Sequence, residues 1–74
     1  MEQEKIGKFI AKLRKEKGLT QDDLGEKLSI NGKTVSKWET GRTLPDISLL
    51  KSISDILGIT VTELLTGEVL EKEG

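Results

Sequence analysis

The stretch LTQDDLGEKLSINGKTVSKWETG, residues 19–41, decides how this chain folds. It opens on Thr20, whose hydroxyl suits the cap of a helix, followed by Gln21 and then Asp22 and Asp23, acids placed where the helix dipole favours negative charge. Leu19 before the cap and Leu24 after it can staple the entry, and the helix runs to about Leu28. Ile30-Asn31-Gly32-Lys33-Thr34-Val35 repeats this syntax less completely, with Asn31 as cap and Ile30 facing Val35, and Gly41 stops the helix that follows. The pattern predicts two short helices joined by a tight turn. Asn31-Gly32 between Ile30 and the β-branched Thr34 and Val35 is also a hairpin signature. That hairpin would need Lys27 to Ile30 as a strand, which the helical pair Leu24 and Leu28 already claims, and it has no third strand to support it.

Working outward, Ile6, Phe9, Ile10 and Leu13 recur at helical spacing with Lys5, Lys8, Lys12 and Lys15 on the other side, an amphipathic helix from about Glu4 to Lys17 that Gly18 closes. On the far side, Pro45 and Asp46 suit the opening of another helix, with Ile47, Leu50, Ile53, Ser54 and Leu57 as a mostly apolar stripe. Gly58-Ile59-Thr60-Val61-Thr62-Glu63-Leu64 then repeats stop, staple, cap and capping box. The expected architecture is all-α: five short helices in one domain, residues 1–67. Residues 68–74 read as a charged tail, a frayed end or the start of a linker, leaving open whether the chain is complete or part of a longer protein.

Composition narrows the function. The 74 residues contain neither Cys nor His, which removes thiolate and imidazole metal sites, disulfides and the usual nucleophile and base pairs. There is no Gly-rich phosphate loop, and the carboxylates sit in caps and on polar faces, so neither an enzyme nor a cofactor or metal is expected. No apolar run is long enough to span a bilayer, and Met-Glu-Gln-Glu-Lys does not begin a signal peptide, so a cytoplasmic location is expected. The net charge of -1 hides a split: residues 1–42 carry ten Lys or Arg against seven acids, and residues 43–74 carry two against six. That asymmetry suggests one face aimed at a polyanion and another at solvent or a protein partner.

Helix geometry assigns the faces. If Val35 and Trp38 are buried, Lys33, Ser36, Lys37 and Thr40 point outward, with the two lysines one turn apart. A helix with such a face fits a DNA major groove, although two exposed lysines taken alone describe any solvated helix.

The run Leu19 to Leu24, the run Lys33-Thr34-Val35-Ser36-Lys37-Trp38-Glu39-Thr40-Gly41, and the flanking Leu44-Pro45-Asp46-Ile47 and Leu57-Gly58-Ile59 closely resemble the phage-repressor and Cro-like (Xre-type) helix-turn-helix family. The resemblance spans about Ile6 to Gly67. It implies a lambda-repressor-like five-helix fold that binds double-stranded operator DNA as a homodimer and regulates transcription, repression being the expected sign. By the same resemblance Gly32, Lys33 and Lys37 match base-reading positions with Thr34 and Ser36 beside them, and lysine there can donate to guanine O6 and N7. Gln21, Asn31, Thr40 and Arg42 match positions that hold the phosphate backbone. Arg14 and Glu39 match a structural salt bridge. Three residues depart from the pattern. Gly25 replaces the usual Ala, still allowing close approach to Val35, and Ser29 replaces the usual turn glycine and is strained if its φ is positive. Gly32 brings no side chain to a reading position, which shifts the burden to Lys33, Lys37 and DNA shape.

Two rival readings come from other classes. One is a protein-binding module, an antitoxin or adaptor that keeps the fold and docks a partner. Val61, Leu65 and Val69 would give it, or a homodimer, an apolar strip if the last helix continues past Gly67. The other is a membrane-surface or calmodulin-type segment in the first helix, disfavoured because that helix's apolar face is needed to close the core.

Overall fold

The computed structural model describes residues 2–70. Among them are five helices and no strand: α1 Gln3–Glu16, α2 Gln21–Leu28, α3 Gly32–Glu39, α4 Ile47–Leu57 and α5 Val61–Thr66. Side-chain caps set the starts of α2, α3 and α5. Thr20 accepts from the Asp23 amide while the Asp23 carboxylate accepts from the Thr20 amide, and Thr60 and Glu63 form the same reciprocal box on α5. Asn31 caps α3 by accepting from the Lys33 amide, so Asn31-Gly32 opens a helix and makes no hairpin.

The ends are equally regular. Gly18 lies at φ +71°, its amide donates to the Lys15 carbonyl, and the Leu19 amide donates to Arg14, which completes a Schellman closure of α1. Three more helices end on a glycine in the left-handed region; α2 ends on Ser29 at φ 59°.

The core is built from one face of each helix. Ile6, Phe9, Ile10 and Leu13 of α1 meet Leu24 and Leu28 of α2, Val35 and Trp38 of α3, Ile53 and Leu57 of α4, and Leu64 of α5. Trp38 is only 2% exposed. In a domain this small, one buried aromatic matters greatly: truncating such a residue costs about 3–5 kcal/mol against a total stability of roughly 5–15 kcal/mol.

Glycine permits two close approaches that position α3. A Cβ at Gly7 would run into the Trp38 carbonyl oxygen and lie 3.2 Å from the Glu39 carbonyl carbon, so α1 can rest directly on the last turn of α3. At Gly25 the obstacle is the turn itself: a Cβ would lie 2.8 Å from the Ile30 carbonyl oxygen and 3.0 Å from the Gly32 amide nitrogen. The Gly25 approach is therefore to the turn backbone, closer in than the Val35 side chain expected from the pattern.

Two expectations are corrected. Ile47 does not join the core stripe; as the first residue of α4 it is 84% exposed, while Ile53, Ser54 and Leu57 carry the buried face. The last helix stops at Thr66, where Gly67 turns left-handed, so Val69 leaves the helical register of Val61 and Leu65 and no continuous strip forms. Residues 68–70, the start of the expected tail, contact α1 and α5. Glu68 pairs with Lys5 at 3.0 Å, and the Leu70 amide donates to the Glu63 carboxylate at 2.7 Å. Residues 71–74 of the expected tail lie outside the described residues.

Candidate nucleic-acid interface

α3 is buried on one side by Val35 and Trp38, which leaves the opposite side to solvent. Lys33 and Lys37 are exposed there, and together with Ser36, Thr40 and Arg42 they line one open depression. Thr34 lies half-buried on the shoulder between Lys37 and Trp38. The convex side of the helix is thus a row of cationic and hydroxyl groups with no large apolar side chain on it.

The residues expected to grip phosphate fall around this row, with their hydrogen bonds partly committed. Asn31 spends its side-chain carbonyl on the α3 cap, leaving its NH2 group as donor. The Thr40 hydroxyl donates back to the Ser36 carbonyl at 3.0 Å, so a phosphate contact through this group requires that bond to be exchanged. Arg42 is exposed and makes no ion pair among the described residues. One Gln21 amide hydrogen points inward, with Nε2 3.0 Å from Glu39 Oε1, and the second hydrogen of that NH2 remains for an outside acceptor.

Behind the row sits a charged knot joining three helices. Arg14 Nε and its Nη2 meet the two Glu39 carboxylate oxygens at 2.6 and 2.9 Å, a two-point contact, and its Nη1 donates to the Leu19 carbonyl at 2.7 Å. The side chains are only 9% and 7% exposed. The hydrogen bonds that the guanidinium donates to Glu39, together with the negative charge of that carboxylate, hold Arg14 above its usual pKa despite burial. Arg14 comes from α1, Glu39 closes α3 and Gln21 opens α2, so the knot fixes how the outward face of α3 is presented.

Gly32, expected at a base-reading position, brings no side chain to the row. It is buried, and the direction in which a side chain would leave it is filled by the Asp22 carboxylate, with Asp22 Cα 3.1 Å from an ideal Cβ. It serves the contact between α2 and α3. The pattern also passed over Gly7, whose signal was present: a glycine inside the apolar stripe of a helix, which costs up to about 1 kcal/mol unless another backbone comes close.

No helix of the described residues is long and apolar enough to cross a membrane, and none of their acidic side chains cluster into a metal-ligand group.

Comparison with known proteins gives one consistent result. The helix-turn-helix family model matches residues 10–64. The transcriptional activator BcrR of Enterococcus faecalis is 43% identical over 61 residues, covering 82% of this chain and 30% of BcrR. The immunity repressor protein of Bacillus phage phi105 is 35% identical over 68 residues, covering 92% of this chain and 47% of the repressor. This chain therefore spans less than half the length of either relative. The solution structure of the DNA-binding domain of the P22 C2 repressor superposes with a TM-score of 0.81 at 26% identity, covering 99% of this chain and 96% of that domain.

Proposed function

This chain belongs to the helix-turn-helix family, and we propose that it binds double-stranded operator DNA as a homodimer, regulating transcription and repressing wherever its operator overlaps a promoter. The observation that carries this reading is the outward side of α3: Lys33 and Lys37 exposed one turn apart on a helix whose other side is locked down by Val35 and Trp38. A helix so mounted enters the major groove, which is about as wide as a helix with its side chains. Lys33 and Lys37 donate to guanine O6 and N7, and Thr34 and Ser36 make the shorter contacts beside them. Gln21, Asn31, Thr40 and Arg42 take the flanking phosphates. A cytoplasmic location follows from this role.

The test is selection from random duplexes with the purified chain. A recovered site with G in each half, and binding that falls steeply as salt rises from about 50 to 200 mM, is the expected outcome. Lys37→Ala should erase preference at one position of the half-site, whereas Arg42→Ala should weaken every duplex about equally. Indifference to DNA at low salt overturns the proposal and leaves a protein-docking role for the fold.

A further inference from the structure

We propose that Asp22 is a base-selecting residue of this surface, supplying from α2 the group that Gly32 does not supply from α3. The inference rests on the DNA-binding reading above. Gly32 stands at the start of α3, one residue before Lys33 and four before Ser36, so a side chain there would emerge on the flank next to the outward row. That exit is occupied: an ideal Cβ on Gly32 collides with Asp22 Oδ1 and lies 3.1 Å from Asp22 Cγ. The carboxylate stands where a side chain at position 32 would begin.

Asp22 sits in the first turn of α2, where its charge suits the helix dipole, but it holds no cap. It is exposed, and it makes no hydrogen bond or ion pair among the described residues. Its neighbour Asp23, by contrast, is spent on the Thr20 capping box. An unpaired carboxylate close to a polyanion weakens binding to every duplex, a cost that the exclusion of mismatched bases would offset.

An ionised carboxylate only accepts hydrogen bonds. In the major groove guanine shows two acceptors and thymine one, all of which it repels. Cytosine N4 shows a donor, and adenine N6 shows one flanked by the N7 acceptor, which makes cytosine the matching base. Asp22 beside Lys33 therefore forms an acceptor next to a donor, a pair that selects cytosine at one position of the half-site adjacent to the guanine read by lysine.

The experiment compares duplex selection by the full chain with that by Asp22→Ala and Asp22→Asn, each checked for an unchanged melting transition. Wild type should favour C at one half-site position by about five- to tenfold. Asp22→Ala should lose that preference while binding all duplexes more tightly, and Asp22→Asn should move the preference to A, the base an amide matches with both its groups. Variants that select the wild-type site with unaltered preferences, whether or not affinity rises, overturn the inference and leave the DNA-binding reading intact. A wild-type chain that selects no duplex overturns both.

Discussion

Ser29 is the residue at which this chain departs most plainly from comfortable backbone chemistry. It closes α2 at φ 59° and ψ 38°, a left-handed conformation that costs a residue with a Cβ about 1–2 kcal/mol and glycine almost nothing. Part of that difference is returned because glycine is freer in the unfolded chain. Ser29→Gly should therefore stabilise the domain by about 0.5–1 kcal/mol, read as a higher urea midpoint at unchanged m-value. Glu39→Gln should act in the opposite sense. It keeps oxygen and shape but leaves the buried Arg14 charge without its counter-charge, so a loss of about 1–3 kcal/mol is expected in the same measurement. The outward lysines were legible in the sequence because helical periodicity alone places them opposite Val35 and Trp38. The position of Gly32 was not, since the sequence shows that a side chain is missing but not which neighbour takes its place. Only the approach of α2 to α3 revealed Asp22 there.

At the scale of elements, helix limits were readable because the starts of α2, α3 and α5 carry a side chain that satisfies free amides and most ends carry a residue suited to a left-handed turn. Where the reading failed, the cause was tertiary. Ile47 follows the apolar period of α4 yet sits in its first turn, ahead of the buried face formed by Ile53, Ser54 and Leu57. Val69 follows the spacing of α5, but Gly67 reverses the chain before it arrives. The two capping boxes also set the acid behaviour. Asp23 is held below its usual pKa first by the hydrogen bond from the Thr20 amide, and Glu63 first by the one from the Thr60 amide and then by that from Leu70. A folded pKa below the unfolded value means the unfolded chain takes up protons first as pH falls. Stability should therefore be constant above the ordinary carboxylate values of 3.8 and 4.5 and should decline as pH drops through them. Glu63→Gln, stable enough to be measured at neutral pH, should show a shallower decline in urea titrations between about pH 5 and pH 3.

For the molecule as a whole, the open question of assembly centres on an apolar depression away from the α3 row. Leu44, Pro45, Leu50 and Leu65 line it, and Ile47 stands over it with most of its surface in solvent. A second copy covering that surface would pair two reading helices about one DNA turn, roughly 34 Å, apart. Ile47→Asp puts a charge on the patch and an acid at the first position of α4, where the helix dipole welcomes it, so the fold should persist. The expected outcome is a monomer by analytical ultracentrifugation and loss of cooperative binding to two half-sites, with binding to a single half-site retained; a dimer that survives the substitution would place the contact elsewhere.

The clasp on Glu39 from α1 and α2 together has a kinetic corollary. α3 is held against α1 and α2 by these bonds before any duplex arrives, so this helix would not have to swing into place to meet one. Recognition then surrenders little conformational freedom, and its speed is governed by collision frequency and the long-range pull between cations and phosphates.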